Sequence, residues 1–289
     1  MLERNCHMLN NVAPIVSVCI PCYRGAAHLA AAIESVLAQT LTDFELIVVD
    51  DQSPDDTVEL MSTFNDPRIR FLVNPVNLGP DGNWNRCLEL ARGRYFKLLP
   101  QDDLLAPTCL AEQVAVLESD TAEQVALVFC ARTILDAHDR PIMTRGYPQR
   151  RSGILAARTL IRQCIRRGTN VIGEPGAVMF RRKLVALAGK FDASIGYVLD
   201  VDYWVRLLLH GDAYYLAKPL ASFRVSGGSW SVRIGARQSI EYQRFIQRLM
   251  TDSRFSATAV DVFAGKVMSK VNALLRAVLY RFLAMDVRR

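Results

Sequence analysis

Short apolar runs alternate with amphipathic stretches through the first third of the chain. Ile15–Ile20 is rich in β-branched residues and predicts a strand, followed by a helical pattern over Ala26–Gln39. Phe44–Val49 predicts a second strand, Pro54–Phe64 a helix, and Ile69–Val73 a third strand. Gly82–Ala91 is helical in period, and Arg94–Leu99 predicts a fourth strand. Strands that alternate with helices imply a parallel, doubly wound sheet with helices on both faces. In such sheets ligands bind beyond the carboxyl ends of the strands. Three of the four predicted strand ends carry polar residues: Pro21-Cys22-Tyr23, Asp50-Asp51 and Asp102-Asp103. They are expected on one edge.

The later pattern is less regular. Pro107–Leu117 predicts a helix with proline in its first turn, where a missing N–H costs nothing. Val125–Ala131 predicts a strand, and residues 132–155, rich in Arg, Pro and Gly, a hairpin or mobile loop. Ala156–Arg167 reads as helix, Ala177–Phe180 as a short strand, and Asp200–Leu209 as a helix leading into Ala213–Leu216. Beyond about Gly235 the pattern is helical.

Composition narrows the class. With 289 residues and 51% hydrophobic content, the chain can bury a large core, which excludes a disordered or collagen-like polymer. The net charge of +6 is unevenly placed. Residues 233–289 hold 11 Lys/Arg against 4 Asp/Glu, and the rest of the chain 24 against 25. A neutral body with a basic end argues against a nucleic-acid binder. Seven cysteines, an odd number in a long chain, fit reduced buried thiols better than a disulfide framework. The opening residues lack a secretory signal pattern, and no run approaches the ~20 apolar residues of a membrane span. The expectation is a cytoplasmic location, with peripheral contact at the inner face of the membrane as one alternative reading of the basic C-terminal end.

Each candidate motif has a plain reading beside the chemical one. Cys19-Ile20-Pro21-Cys22 has the spacing of a redox dithiol, but Cys19 falls inside a strand pattern and no second pair completes a zinc site. Asp50-Asp51-Gln52-Ser53 fits either a turn and helix cap, with Pro54 at the first helical position, or hydrogen bonding to a nucleoside. Asp102-Asp103 sets two carboxylates side by side, which calls for exposure or a cation. Asp200 opens a helix whose apolar face is Val201, Trp204, Val205 and Leu208. It reads as a cap or as a general base. The chain contains no GxGxxG, GxxxxGK[ST], HExxH or GxSxG pattern, and its four histidines form no ligand spacing.

Together these segments resemble the family 2 glycosyltransferases of the GT-A fold. The likeness starts at Val16-Ser17-Val18-Cys19-Ile20-Pro21-Cys22-Tyr23 and runs through Ile33–Thr40 and Phe44–Ser53. It continues through Asn77-Leu78-Gly79 and Ala91–Tyr95 to Gln101-Asp102-Asp103. A weaker match covers Gly189–Asp192 and Asp200–Leu207, and the likeness fades after about residue 232. It implies a GT-A (Rossmann-like) α/β fold, with a mixed, mostly parallel sheet flanked by helices over residues 14–232. A tail over 1–13 precedes it, and a basic helical extension over 233–289 follows.

The resemblance also implies roles. Pro21 and Tyr23 line the nucleotide pocket, Asp51 meets the base, and Asp102 the ribose. Asp103 holds Mg²⁺ or Mn²⁺ on the diphosphate, and Asp200 is the base of an inverting transfer. Glu174, in Asn170–Gly176, falls on the acceptor side. The implied donor is a nucleotide sugar, a UDP-sugar by preference. The implied acceptor is a hydroxyl of a glycan or a lipid-linked molecule, as in surface polysaccharide synthesis. The chain departs from the family pattern at Trp84, where an arginine is frequent, at Leu199, and at Ser226, where a histidine is often seen. Arg145, Arg150 or Arg151 can supply the missing charge.

Between Lys266 and Leu283, Val267, Val271, Leu274, Leu275, Val278, Leu279, Phe282 and Leu283 follow helical spacing, with Lys266, Lys270, Arg276 and Arg281 on the other side. That stripe suits packing on the body, a second copy of the chain, or an anionic membrane surface. The rival readings of the whole chain are a non-catalytic nucleotide-sugar-binding module and a CxxC thiol oxidoreductase.

Overall fold

The computed structural model describes residues 13–225 and 237–286. Ser226 and most of the 1–13 tail lie outside those residues. The elements in chain order begin with β1 (Val16–Cys22), α1 (Leu29–Leu37), β2 (Phe44–Asp50), α2 (Thr57–Met61), β3 (Ile69–Val73), α3 (Gly79–Leu90) and β4 (Tyr95–Leu98). The middle part holds β5 (Leu104–Leu105), α4 (Cys109–Ser119), β6 (Val125–Leu135), β7 (Pro141–Arg145), β8 (Gly153–Leu155) and α5 (Ala157–Arg167). Then follow β9 (Val178–Arg181), α6 (Val185–Ala188), α7 (Leu199–Leu207), β10 (Asp212–Arg224), α8 (Arg237–Thr251) and α9 (Ala259–Asp286).

The ten strands of the described residues form one sheet in the order β3-β2-β1-β4-β9-β6-β10-β5, with β7 on β6 and β8 on β10. The β3-β2-β1-β4 block is parallel, as is β6-β10, while β9 runs against both of its neighbours. Every residue of β2 and β4 is buried, so these strands read as continuous apolar runs rather than alternating ones. The charged exceptions are Lys97 in β4 and Glu45 and Asp50 in β2. Burial alone would raise the Glu45 carboxyl, but Ser17, the Arg92 backbone N–H and the Arg70 and Arg92 guanidiniums hold it below its ordinary range.

Several sequence expectations change here. The helix predicted from Pro54 begins only at Thr57, and Ser53 does not cap it. Ser53 Oγ instead accepts from the Arg24 backbone N–H at 2.9 Å, tying the β2 end to the β1 end. The region 132–155 takes the hairpin form: β6 continues to Leu135 and turns back through β7. The strand predicted over 213–216 extends to Arg224, with register shifts around Pro219. The CxxC cysteines are both buried. Burial pushes the Cys22 thiol up to about 12 and the Cys19 thiol well above its usual value, so neither is a redox thiolate.

The two C-terminal helices are packed into the body. Tyr242, Phe245, Ile246 and Leu249 of α8 belong to the same buried cluster as α5 and α7. Across α9 the inward side is polar and small: Asp261, Gly265 and Ser269 are buried, while Val260, Phe263, Val267, Leu274, Leu275 and Val278 are exposed. Most of the apolar stripe therefore faces away from the body, while Leu275 edges a cavity with Ile134 and Met143. The reason lies at the crossing with α5. Gly168 ends α5 at φ +56°, and a Cβ there would meet Ser269 N at 2.4 Å. A Cβ on Gly265 would meet Ile165 O at 2.1 Å. Only small residues let the backbones approach this closely. Asn272 Nδ2 then donates to the Arg167 and Gly168 carbonyls at the end of α5, satisfying groups the helix leaves open.

Candidate functional site

The polar strand ends meet at one edge of the sheet. Tyr23, just past β1, is exposed, and its backbone is gripped by Gln101: its N–H donates to Oε1 at 2.8 Å and its carbonyl accepts from Nε2 at 3.0 Å. Pro21 sits in β1, half-buried, in register with Val49. Asp51 is only 2% exposed. Its Oδ1 accepts from Asn74 Nδ2 and the Leu78 N–H, and its Oδ2 from the Gly79 N–H, at 2.8–2.9 Å. The carboxylate that sequence position aimed at a base is thus engaged in closing the 77–79 turn onto β2.

Asp102 and Asp103 follow β4 but face different surroundings. Asp102 lines a cavity of about 260 Å³; Asp103 lies behind it at 1% exposure. Asp103 Oδ1 accepts from the Arg224 N–H at 3.0 Å, and its Oδ2 is buried with no hydrogen-bond partner among the described residues. Burial, and then the neighbouring Asp102 charge, push the Asp103 carboxyl well above its ordinary range. Burial raises Asp102 as well. Two adjacent raised carboxyls with an unpartnered buried oxygen are the arrangement a divalent cation relieves. Among the described residues no group of three or more His, Cys, Asp or Glu is arranged to hold a metal. A Mg²⁺-like ion that keeps waters and substrate phosphates needs only one or two carboxylates, so this donor set fits it.

Asp200 lines the same cavity. It is the second residue of α7 rather than its cap, which is Val198. Its Oδ2 accepts from Asn170 Nδ2 at 2.8 Å and its Oδ1 from the Val201 N–H at 2.6 Å. Burial dominates its titration, aided by the negative Glu174, and pushes the carboxyl up to about 7. The predicted apolar face of this helix, Val201, Trp204, Val205 and Leu208, is buried and fixes it. Trp204 Nε1 donates to the Gly173 carbonyl, joining α7 to the 170–176 loop that carries Asn170.

Glu174 also lines the cavity, where Arg132 Nε lies 2.5 Å from its Oε2. Burial would raise this carboxyl, but the guanidiniums of Arg132 and Arg145 hold it below its ordinary range. The cavity therefore brings together Asp102, Glu174 and Asp200, and leaves Pro21, Tyr23, Asp51 and Asp103 outside its wall. Its cations are Arg145, a residue singled out for charge, and Arg276 from α9, which was not. Aromatic walls come from Trp84, Tyr197, Phe223 and Tyr242. Trp84, a departure from the family pattern, stands edge-on to Phe191, which Asn85 grips through both its backbone N–H and its carbonyl. Nothing local marks Tyr242 and Arg276 as site residues. Their place depends on the tight α5–α9 crossing and on the Tyr242 hydroxyl donating to the Cys164 carbonyl at 3.1 Å.

Comparison with known proteins follows the same lines. The family described as Glycosyl transferase family 2 matches residues 17–186. The "Uncharacterized protein MT1568" of Mycobacterium tuberculosis is 33% identical over 84% of this chain and 78% of its own length. The Escherichia coli protein named "UDP-Glc:alpha-D-GlcNAc-diphosphoundecaprenol beta-1,3-glucosyltransferase WfaP" is 34% identical over 37% of this chain and 42% of its own. The mannosyltransferase PcManGT from Pyrobaculum calidifontis, solved with GDP-Man and Mn²⁺, superposes with a TM-score of 0.64 at 18% identity. That match covers 96% of this chain and 76% of the solved one, and shows a shared GT-A-type fold.

Proposed function

This chain belongs to glycosyl transferase family 2, and we propose that it is an inverting, metal-assisted transferase. It moves a sugar from a nucleotide-diphosphate donor to a hydroxyl of a glycan or lipid-linked acceptor in polysaccharide synthesis. The observation that carries this reading is Asp200. It is a carboxylate in the cavity wall beside Asp102, held by Asn170 and brought to a pKa of about 7. A general base works best when its pKa lies near the operating pH.

In the proposed reaction the acceptor oxygen attacks the anomeric carbon from the side opposite the diphosphate. The new O–C bond forms as the C–O bond to the diphosphate breaks, which inverts the carbon. Asp200 takes the hydroxyl proton, and the nucleoside diphosphate leaves with the bond electrons. No protein nucleophile is needed, in keeping with the absence of a Ser-His or Cys-His pattern in the sequence.

Asp103, through its unpartnered Oδ2, with Asp102 beside it, would hold Mg²⁺ or Mn²⁺. When bound, the ion supplies Lewis-acid stabilisation of charge on the leaving diphosphate. Asp102 faces the ribose, Pro21 and the exposed Tyr23 flank the nucleotide, and Asp51 supports the base end by fixing the 77–79 turn. Glu174, paired with Arg132, faces the acceptor. UDP-sugars are the first donors to try, since the relative WfaP is named for UDP-Glc.

We assign the exposed apolar stripe of α9 and its flanking Lys266 and Lys270 to peripheral contact with an anionic membrane surface. Among the described residues no helix is long and apolar enough to cross a membrane. The function is tested by a thermal-shift series of nucleotide sugars with and without Mn²⁺. Stabilisation by one nucleotide class, larger with the ion, is the expected result; no stabilisation by any of them contradicts the reading.

A further inference from the structure

Arg132 is a charged residue on an inner strand of the sheet. It lies on β6, is 4% exposed, and stands in register with Arg145 of β7. Like charges directly across two strands repel each other, so the pair calls for a counterion. Glu174 supplies it. Arg132 Nε lies 2.5 Å from Glu174 Oε2, and Arg132 Nη2 donates to Oε1 at 3.4 Å. Both carboxylate oxygens are thus turned to one guanidinium. Gly173 makes room for the contact: its φ is +134°, and a Cβ there would lie 3.3 Å from Arg132 Nη1.

The same turn reaches Asp200. Asn170 Nδ2 donates to the Gly173 carbonyl at 2.9 Å and to Asp200 Oδ2 at 2.8 Å. Trp204 Nε1 is a second donor to that carbonyl, at 3.1 Å. Beyond Glu174, Gln113 Nε2 of α4 donates to the Ala177 carbonyl at 2.9 Å, and Gln113 Oε1 accepts from the buried Lys97 Nζ at 2.9 Å. The segment is therefore held before Glu174 from α7 and after it from α4. Between those grips Arg132 fixes the Glu174 side chain. A bonded route runs from Arg132 through Glu174, Gly173 and Asn170 to Asp200. Stability alone is a weak reason for such a pair: a buried ion pair gains little over an apolar pair of similar volume, because desolvation offsets the attraction.

We propose that Arg132 is a positioning residue for the transfer: through Glu174 it holds a fixed negative charge in the wall that carries Asp200, and it fixes the turn that aims Asp200 at the acceptor. The inference rests on the transferase reading above. Arg132 does not line the cavity, so it acts through Glu174 and not on the substrate. Burial is the larger cause of the raised Asp200 carboxyl, and the Glu174 charge adds to it. A like charge favours the protonated form, so Glu174 makes Asp200 a stronger base. The other charged groups on this wall are Asp102 after β4, Arg145 of β7 and Arg276 of α9, with the phenols of Tyr197 and Tyr242. Burial pushes the nearby Cys164 thiol of α5 up to about 12, so it adds no charge at neutral pH. Of the two carboxylates facing Asp200, Glu174 is the one built into the turn that holds it.

The test uses the full chain and needs no acceptor. Scanning calorimetry compares the Tm of each protein with that of its Asp200→Asn partner across pH, and the pH at which the difference levels reports the Asp200 carboxyl. Turnover is read as nucleoside diphosphate released from the nucleotide sugar that stabilises the parent, and donor affinity by titrating the same compound with Mn²⁺. The variants are Glu174→Gln, Arg132→Lys, and Arg132→Met combined with Glu174→Met, an apolar pair of similar volume. Glu174→Gln and the double variant are expected to lower the levelling pH by about half a unit or more. Their turnover should fall about tenfold or more at unchanged donor affinity. Arg132→Lys should keep the parent levelling pH and part of the turnover. A parent levelling pH in Glu174→Gln, or parent turnover in the double variant, overturns the proposal and makes the pair a folding element. Should the double variant not fold, Glu174→Gln and Arg132→Lys decide on the same readouts. A parent that binds no nucleotide sugar refutes the transferase reading beneath it, whatever the levelling pH.

Discussion

Asn170 Nδ2 donates to Asp200 Oδ2 across 2.8 Å, while Asn170 Oδ1 accepts from the backbone N–H groups of Ile172 and Gly173 at 3.0 Å. One side chain therefore sets both the shape of the 170–173 turn and the direction of the proposed base. Asn170→Ala removes the restraint and a hydrogen bond to the charged form. Displacement of a reacting group by about 1 Å costs up to about 100-fold in rate. Turnover is expected to fall ten- to a hundredfold with little change in donor KM. The midpoint of the pH–rate profile should move upward, because the ionised carboxylate loses a donor. A purely structural role would leave that midpoint in place.

The pH dependence follows from Asp200 itself. Its carboxyl sits at about 7 in the folded protein against an ordinary 3.8. The base form appears as pH rises, so the rate should climb between pH 6 and 8 with a midpoint near 7. Stability moves the other way. A raised folded-state pKa contributes stability that is full below 3.8 and is lost as pH rises to about 7. Asp200→Asn should therefore gain Tm relative to the parent between pH 4 and 7, with the difference level above that, as scanning calorimetry would read.

Gly168 is the hinge on which the C-terminal helix rests. At φ +56° any side chain is strained, and a Cβ would lie 2.4 Å from Ser269 N. Strain of this kind costs about 1–3 kcal/mol before the clash is counted. Gly168→Ala should lower Tm and displace the wall that carries Arg276 and Tyr242. The measurement is thermal unfolding, in which Tm is expected to fall; an unchanged Tm would contradict the role given to this crossing.

The outward stripe of α9 makes a separate claim. Phe263 and Leu274 are 70% and 66% exposed. Sedimentation with anionic vesicles should carry the chain down, less so in high salt, and replacing both residues by serine should release it. Equal sedimentation of parent and variant would leave the stripe without a lipid role.

β1, β2 and β4 and the polar residues at their ends were legible in sequence because both faces of those strands are buried, while the half-buried edge strand β3 was legible from its short run of Ile69, Phe71, Leu72 and Val73. Their runs, such as Phe44–Val49, carry no competing pattern. The full length of β6 was hidden by Arg132, a charge that breaks an apolar run. It is buried here through Glu174, 42 residues away. The helical stripe of α9 was read correctly as a helix, but its direction was not legible. The face that meets α5 is Asp261, Gly265 and Ser269, chosen for close approach rather than apolarity. The same crossing delivers Arg276 to the cavity, so no local pattern announces it. The carboxylates Asp102, Glu174 and Asp200 were singled out one by one in sequence. That they share a wall, with the buried Asp103 behind Asp102 and Asp51 closing the 77–79 turn, is a property of the packing.

The central claim is that Asp200 removes the acceptor proton. Its most direct test is release of nucleoside diphosphate from the stabilising nucleotide sugar by Asp200→Asn, with donor affinity measured on the same protein. The account predicts a fall of about 10²–10⁴ in turnover with donor affinity retained. Turnover within a few-fold of the parent, at undiminished binding, would contradict it.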